Sequence, residues 1–379
     1  PLPPPTGSPP LGFRPNVVFV LTDDQDTTQD SMDAMPRTRS LFGLDSILPK
    51  GGGCADGGAC YNLSRGYVAT PICCPSRASY LSGKYTHNHR TLQNNAPMGC
   101  SSASWVAEKE PRAYAAFLGG AANYTAGFFG KYLNAYGLSP SEPLSYVPPG
   151  WSEWCGLRGN SRFYDYTLSV NGKPEKHGSD YHADYFTDLL HNRSVAFLAR
   201  SLGGAGDAPV LAVVHTPAPH RPATPAPQYM TSFTDRTAPR TPSWNFISKD
   251  KHRWLSELSP MNSTVIEYSD HVWRRRLRSL QSVDELVAGL FDAVREKQAM
   301  ARTVFLYASD HGYHSGQWGV AYCKMLPYEE DVRIPMFVRL PASAKHPPSS
   351  HARVITSPTL NIEYVRLPSF LRPCLLQLC

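Results

Sequence analysis

Charged residues are scarce in this 379-residue chain, at 18% of all residues, and long uninterrupted apolar runs are missing. No stretch approaches the roughly 20 consecutive apolar residues that a membrane-spanning helix needs. The segment from Leu367 to Cys379 is apolar, but it is short and Arg372 interrupts it. The sequence therefore predicts no membrane span.

A strong excess of one charge sign is also missing, because the formal net charge is only +6. So mild an excess is typical of ordinary solubility, and binding to a polyanion is the alternative. We expect no nucleic-acid partner. Hydrophobic residues make up 41% of the chain, which allows a sizeable core and argues against disorder of the whole chain. The 35 prolines and 28 glycines predict long, structured loops.

Cysteines and glycosylation sequons together favour the secretory pathway. The chain has nine cysteines and four Asn-X-Ser/Thr sequons. The sequons lie at Asn62, Asn123, Asn192 and Asn262. We therefore expect a glycoprotein that is lysosomal or secreted.

Continuous apolar runs, rich in β-branched residues, predict buried strands. These runs are residues 16–21, 124–129, 210–215, 303–308 and 336–340. Helical spacing is found over residues 105–118, 184–200 and 282–296. In the last of these helices, Ser282 is the predicted N-cap and Glu285 completes a capping box. The alternation of strands and helices predicts an α/β sandwich around a mostly parallel central sheet.

Carboxylates and imidazoles follow three of the predicted strands. These side chains are Asp23 and Asp24, His215 and His220, and Asp310 and His311, in chain order. In parallel sheets, ligands bind beyond the carboxyl ends of the strands. The convergence of such side chains at one rim predicts a metal-dependent hydrolase.

Each acidic cluster alone has a second interpretation. Residues 22–26, with three carboxylates, also fit a helix N-terminus, and residues 310–312 also fit a tight turn. Two such clusters at two strand ends favour a metal site. Carboxylate ligands favour calcium or magnesium, whereas the imidazole leaves a transition metal open.

The strongest motif is Cys73-Cys74-Pro75-Ser76-Arg77, which continues through Leu81-Ser82-Gly83-Lys84. A disulfide-bearing loop with a Pro-Ser turn is the alternative interpretation. The motif resembles the Cys-x-Pro-Ser-Arg signature of the sulfatase family, in which the cysteine is oxidised to formylglycine. This resemblance extends roughly over residues 14–340 and implies an alkaline-phosphatase-like sandwich. A proline-rich lead-in at 1–13 precedes this domain, and a divergent tail at 341–379 follows it.

The resemblance implies a role for particular residues of the chain. The formylglycine-generating enzyme would convert Cys73 to formylglycine (3-oxoalanine). The ligands of a calcium ion would be Asp23, Asp24, the modified Cys73, Asp310 and His311. Arg77 and Lys131 would orient the modified side chain, while His220 and Lys324 would hold the sulfate and protonate the leaving oxygen. The reaction would pass through a sulfo-enzyme intermediate.

Further stretches resemble one branch of the family, the N-acetylglucosamine-6-sulfatases and the extracellular heparan endosulfatases. They are residues 84–89, 130–134, 160–164, 278–284 and 311–314. The branch implies a sulfuric ester hydrolase that removes 6-O-sulfate from N-acetylglucosamine or glucosamine units in glycosaminoglycan degradation. Its substrate would be a sulfated glycan, and His87, His89 and Tyr164 would line the rim of the pocket.

Two departures from the family pattern leave alternatives open. Leu133 stands where many arylsulfatases carry a histidine, and His87 or His89 would be the substitute. Beyond about Pro341 the resemblance fades, and the family's small C-terminal domain is expected to be missing. The alternatives are an arylsulfatase of broad small-molecule specificity, a phosphodiesterase or phosphonate monoester hydrolase, and an inactive truncated sulfatase-like protein.

Overall fold

A ten-stranded mixed sheet with helices on both faces forms the centre of the molecule. The computed structural model describes residues 14–45, 54–203, 208–341 and 352–366. The strands are β1 (Asn16–Thr22), β2 (Ala59–Leu63), β3 (Gly66–Tyr67), β4 (Thr125–Lys131), β5 (Glu153–Leu157), β6 (Thr167–Val170), β7 (Lys173–Lys176), β8 (Val210–His215), β9 (Thr303–Ser309), β10 (Met336–Leu340), β11 (Arg353–Ile355) and β12 (Thr359–Leu360). The α-helices are α1 (Pro36–Leu41), α2 (Cys73–Ser82), α3 (Thr86–His89), α4 (Tyr114–Ala116), α5 (Tyr181–Asp184), α6 (Phe186–Ser201), α7 (Arg253–Ser256), α8 (Ser263–Glu296) and α9 (Glu329–Val332).

The middle of this sheet is parallel and its margins are mixed. The strand order is β11-β2-β10-β9-β1-β8-β4-β5-β6-β7, and β12 pairs with β3 in a separate small sheet. Strands β9, β1, β8, β4 and β5 are parallel to one another. In contrast, β10 is antiparallel to both of its neighbours, and β6 and β7 add an antiparallel margin. The predicted α/β fold with a mostly parallel central sheet is confirmed.

Strand β1 shows why the sheet carries an apolar layer on each face. Val18 and Val20 pack in the layer that contains α6 and α8. Val17, Phe19 and Leu21 pack in the opposite layer, which contains α2. Successive residues of a strand face opposite sides, so a strand buried on both faces needs an uninterrupted apolar run.

All five predicted strands are present, and α6 corresponds to the helix predicted over residues 184–200. The start predicted for the last helix is wrong. Helix α8 begins at Ser263, where the side-chain oxygen of Asn262 accepts a hydrogen bond from Val265 N. The helix continues through Ser282 because its earlier turns also carry a buried stripe that includes Val272 and Leu277. Ser282 is therefore an interior residue and no cap.

The helix predicted over residues 105–118 is broken into short turns. Trp105–Lys109 and Phe117–Ala121 are π-helical turns, and Glu110–Arg112 between them is a 3-10 turn. Pro111 lies in the middle of this segment and has no N–H for an α-helical hydrogen bond. The apolar spacing is thus helical, but the backbone cannot form one continuous helix.

Two disulfides, Cys54–Cys60 and Cys74–Cys100, join segments near the start of the fold. None of the helices in the described ranges has the length and apolar character that a membrane crossing requires. The lead-in at 1–13 and the apolar segment from Leu367 to Cys379 lie outside the described residues. The domain boundaries at residues 13 and 340 stay predictions.

Candidate active site

The carboxyl ends of β1, β4, β8 and β9 meet at one edge of the parallel part of the sheet. The buried polar residues at these ends are Asp23, Asp24, Lys131, His215, Asp310 and His311. Backbone hydrogen bonds tie the strand ends together. The N–H of Asp23 donates to Ala218 O and that of Asp310 to Thr22 O, both at 3.0 Å. The structure therefore brings together the side chains that were predicted to converge.

Four of the predicted metal ligands lie close enough to share one ion. One ligand atom from each of Asp23, Cys73, Asp310 and His311 lies within 4.8 Å of the others. A second group that meets the same distance limit consists of Asp23, Asp24, Cys73 and His220. Asp24 joins the two groups, since its Oδ1 is 3.3 Å from His311 Nε2 and its N–H donates to Asp310 Oδ1 at 3.0 Å. These donors fit a bound cation.

The carboxylates of this site are also paired with positively charged side chains. The three carboxylates of Asp23, Asp24 and Asp310 face the side-chain cations of Arg77, Lys131 and Lys324. Three negative and three positive charges cancel in this set. A divalent ion would leave the pocket with a net positive charge, which attracts an anionic substrate.

Cys73 is the first residue of α2 and lies between these charged groups. Its Sγ is 3.2 Å from Lys324 Nζ, 3.3 Å from His311 Nε2 and 3.8 Å from Asp23 Oδ1. Burial disfavours the thiolate, but the positive charges of Lys131 and Lys324 outweigh burial and lower the pKa of Cys73. The backbone N–H groups at the helix N-terminus favour negative charge as well. Position 73 is therefore suited to a nucleophile.

Arg77 follows Cys73 by one helical turn and projects from the same face of α2. Its Nε donates to Asp310 Oδ2 at 2.9 Å, and its Nη1 donates to Lys131 O at 2.7 Å. Burial lowers the pKa of this guanidinium, but Asp310 and Asp23 raise it by more, so the net pKa is raised. Arg77 is a fixed positive charge beside the nucleophile position.

Lys131 and Asp23 form a buried ion pair. Lys131 Nζ is 2.6 Å from Asp23 Oδ2, and the hydroxyl of Ser161 donates to the same oxygen. Burial raises the pKa of Asp23, yet Lys131 and the neighbouring cations lower it well below its usual value. Gly130, the residue before Lys131, lets β4 lie against β8, because a Cβ at that position would lie 1.9 Å from His215 O.

Lys324 and His220 reach the same carboxylates from loops. Lys324 Nζ donates to Asp24 Oδ1 at 2.5 Å. Burial lowers the pKa of Lys324, but the negative charge of Asp24 outweighs burial and raises this pKa well above its usual value. His220 Nδ1 lies 2.6 Å from Arg221 O. The carbonyl can only accept, so Nδ1 carries the hydrogen and Nε2 is left for another partner. Burial lowers the pKa of His220.

The three residues predicted to form the rim have different surroundings. His87 is exposed and stacks on Tyr85 with ring centroids 5.6 Å apart, while Tyr164 is half-buried against Tyr185. His89 is only 2% exposed. Its Nε2 is 3.0 Å from Ser79 Oγ and its Nδ1 accepts from Thr91 N. His89 therefore has no ring nitrogen left for a sugar, and burial lowers its pKa to about 4.

Three further residues contact the site. Sequence reasoning placed His215 at this edge without giving it a role, and it did not assign Ser161 or Arg276 to the site. Ser161 bonds Asp23 from a stretch that was noted only for its family likeness. His215 stands at a predicted strand end, with Nδ1 3.1 Å from Lys131 O. Arg276 donates from Nη2 to Asp24 O at 2.7 Å and to Asp26 Oδ1 at 2.8 Å. Arg276 lies in an arginine-rich run, and no local signal in the sequence sets its buried side chain apart from the neighbouring arginines.

Leu133 is fully buried in the apolar layer beside α2. The expected histidine substitutes, His87 and His89, are not among the side chains that contact Cys73 in the described residues. The imidazole in contact with the Cys73 sulfur is that of His311.

Sequence comparisons agree with this geometry. A family model described as sulfatase matches residues 15–362. The human N-acetylglucosamine-6-sulfatase is 40% identical over 330 residues, which cover 86% of this chain and 56% of that protein. The extracellular sulfatase SULF-1 homolog of Drosophila melanogaster is 39% identical over 359 residues, 94% of this chain and 29% of that protein. The chain thus spans about half, or less, of the length of the curated relatives that it matches.

A solved structure with the same architecture is that of BT4656 in complex with its substrate D-glucosamine-2-N,6-O-disulfate. It superposes with a TM-score of 0.69 at 20% sequence identity and covers 94% of this chain and 76% of that chain. At this level of identity the likeness establishes a shared fold.

Proposed function

The chain belongs to the sulfatase family, and we propose that it removes 6-O-sulfate from N-acetylglucosamine or glucosamine units of glycosaminoglycans. The observation that carries this proposal is the position of Cys73. Cys73 is the first residue of α2. Its Sγ lies 3.2 Å from Lys324 Nζ, 3.3 Å from His311 Nε2 and 3.8 Å from Asp23 Oδ1. A nucleophile there meets the positive charge that an anionic ester needs before it can be attacked.

Sulfatases generally use a formylglycine and a metal ion. We propose that the formylglycine-generating enzyme oxidises Cys73 and that the ion is calcium. The proposed ligands are Asp23, Asp24, Asp310, His311 and the modified residue 73. Together these groups supply a hydroxyl nucleophile and a charge that draws electrons from the sulfate oxygens.

Arg77 and Lys131 orient the side chain at position 73 and share the negative charge that develops on the sulfate. Both cations are held in place before substrate arrives, Arg77 by Asp310 and Lys131 by Asp23. Positive groups that do not have to move stabilise a transition state at little reorganisation cost.

His220 and Lys324 act on the side of the leaving alcohol. Lys324 is already bound to Asp24, so it holds the sulfate as a fixed charge. His220 donates as an imidazolium, in which Nδ1–H stays bonded to Arg221 O and the second proton, on Nε2, passes to the leaving oxygen. A neutral alcohol then departs.

The substrate rim is assigned to His87 and Tyr164. The exposed, stacked pair of His87 and Tyr85 offers a flat surface to a sugar ring. A sulfate on carbon six projects from the ring and can enter a narrow pocket while the sugar stays at this rim. We assign His89 to packing beneath α2.

A secretory location, lysosomal or extracellular, belongs to this proposal. Asn123, Asn192 and Asn262 are exposed, and each is the first residue of a sequon. Exposed acceptors are accessible to glycosylation. The names of the relatives, an extracellular sulfatase and an N-acetylglucosamine-6-sulfatase, support the same assignment.

A competition between N-acetylglucosamine-6-sulfate and nitrophenyl sulfate tests the substrate. The protein is produced in a secretory host, and peptide mass spectrometry first verifies an aldehyde at residue 73. We expect the higher kcat/KM for the sugar sulfate. If the aryl sulfate is favoured by about tenfold, equal to about 1.4 kcal/mol of transition-state binding, the chain is an arylsulfatase of broad specificity.

A further inference from the structure

A basic strip runs from a loop residue next to His220 along one face of α8, and we define it as Arg221, His271, Arg274, Arg275 and Arg278. The last four occupy positions i, i+3, i+4 and i+7 of the helix, which lie on one side. They span about 10 Å along the helix axis. Arg221 and His271 are exposed, and the other three are partly exposed.

The three helical arginines of the strip are held by neutral oxygens. Arg274 Nη1 donates to Arg236 O at 3.0 Å, Arg275 Nε to Pro222 O at 3.1 Å, and Arg278 Nε to Ser232 O at 2.6 Å. Within the described ranges, none of the three forms an ion pair with a carboxylate. The guanidinium groups are therefore positioned by the fold while their charge remains unneutralised.

The pKa values of Arg278 and His271 also indicate that the positive charge of the strip is not neutralised. Partial burial, followed by the charges of Arg274 and Arg275, lowers the pKa of Arg278. Partial burial and the same arginines also lower the pKa of His271. Glu267, one turn earlier on α8, is exposed and makes no ion pair with the strip in the part of the chain that the structure describes. A concentrated, uncompensated positive potential results.

The strip is continuous with the pocket through aromatic rings. The Arg221 guanidinium lies 4.6 Å from the centre of the Tyr322 ring, and Arg221 directly follows His220. Tyr322 packs on Tyr268 at 5.5 Å, and Tyr268 stacks with His271 at 6.4 Å. Tyr268 is 46% exposed. Basic and aromatic groups thus run without a break from Arg221, beside His220, to α8.

We propose that the basic strip is a second binding site, which holds sulfated saccharide units that flank the unit in the pocket. This inference rests on the proposed function. Arginine forks match the oxygens of a sulfate group, and exposed tyrosine rings suit the apolar face of a sugar. The strip therefore favours a long sulfated chain over a single sulfated sugar.

Binding is measured in the Cys73→Ser protein, so that the measurement does not depend on hydrolysis of the probe. The probes are a heparin-derived sulfated octasaccharide and an unsulfated octasaccharide of the same backbone. We compare the triple variant Arg274→Gln, Arg275→Gln, Arg278→Gln with a matched control, Arg200→Gln, Arg253→Gln, Arg295→Gln. Each control arginine already pairs with a carboxylate, and both variants change the net charge equally.

We expect the strip variant to bind the sulfated probe about tenfold more weakly, the sum of three modest surface contacts. The control should change by less than about twofold, and the difference should shrink at high salt. A triple Arg→Lys variant of the strip keeps the charge but lacks the guanidinium forks, so it should recover part of the affinity. Thermal melting verifies that every variant is folded.

Equal losses in the two triple variants, no loss in either, or equal binding of the unsulfated probe would overturn the proposal. In the processed enzyme, the ratio of kcat/KM for the octasaccharide to kcat/KM for the monosaccharide sulfate should fall in the strip variant only. Binding through the strip without hydrolysis of either substrate refutes the proposed function and leaves the strip standing. Hydrolysis of the substrates without binding through the strip refutes the strip and leaves the proposed function standing.

Discussion

Two groups of cations in the molecule differ in burial and in the groups that hold them. The pocket cations are Arg77, Lys131 and Lys324, each in contact with a carboxylate and almost fully buried. The strip cations are Arg274, Arg275 and Arg278, each partly exposed and held by neutral oxygens. Pairing fixes the pocket cations before any ligand arrives, whereas the strip cations keep their charge available for a ligand. The surroundings of a cationic side chain therefore decide whether its charge is already paired or is available to a ligand.

The largest expected effect concerns the centre of the pocket. Cys73→Ser should abolish hydrolysis of N-acetylglucosamine-6-sulfate, because a serine is not oxidised and its sulfate ester cannot eliminate. Cys155→Ser is the control, since Cys155 is also a buried free thiol but lies in β5. We expect the control to keep its turnover within severalfold. Turnover by the serine variant at the level of the unmutated enzyme would remove Cys73 from the mechanism.

The next effect tests the carboxylates that face the pocket cations. Asp310→Asn should lower kcat by about 10²–10³, because it weakens both the proposed metal site and the hydrogen bond that holds Arg77. Asp292→Asn, at an exposed ion pair with Arg295, should have no measurable effect. Chelation of the metal, verified by elemental analysis, should reduce turnover of the unmutated enzyme to a similar extent. An unchanged rate after complete metal removal would contradict the ligand assignment.

A third prediction compares the contributions of a buried and an exposed ion pair to the free energy of unfolding. Arg77→Met should reduce the free energy of unfolding by about 3–5 kcal/mol, because it leaves Asp310 buried without its partner. Arg253→Met removes the exposed ion pair with Glu257 and should cost less than about 1 kcal/mol. Urea unfolding at neutral pH measures both. Similar losses for the two variants would mean that burial does not distinguish these pairs.

The smallest effect separates two neighbouring histidines. The pKa of buried His89 is lowered to about 4 in the folded protein, against a usual value of 6.5. Between these values the unfolded chain binds a proton at this residue and the folded chain does not. Stability should therefore fall as pH drops from about 6.5 to 4, by at most about 3 kcal/mol.

His89→Gln should flatten this part of the pH dependence, whereas His87→Gln, at an exposed position, should leave its slope as in the unmutated protein. Melting temperatures at several pH values between 7 and 4 measure both. Parallel curves for the unmutated protein and His89→Gln would show that His89 is not the group responsible.

Much of the sheet and one edge of the site could be predicted from the sequence. Strands buried on both faces need apolar runs, and such runs are visible at β1, β8 and β9. Because parallel strands place their carboxyl ends together, the polar residues that follow could be predicted to meet. The nucleophile position came from a family resemblance around Cys73.

Contacts between distant segments could not be predicted in this way. Ser161 reaches Asp23 across 138 residues of sequence, and Arg276 reaches the Asp24 carbonyl across 252. No local pattern encodes such pairings, because they depend on how loops and α8 pack on the sheet. His87 and His89 show that sequence reasoning has the same limit for residues close together in the chain. Two residues apart, one is exposed and the other buried, and the motif did not reveal which.

The burial of Cys73 imposes an order on the biosynthesis of this protein. Its side chain has 0% exposure in the folded chain, and the neighbouring Cys74 is tied to Cys100. A second enzyme therefore has no access to the sulfur once α2 has packed. The oxidation that we propose must happen while this segment is still an open polypeptide. A chain that folds first retains an ordinary thiol, and its fold then shields that thiol from the enzyme that would have activated it.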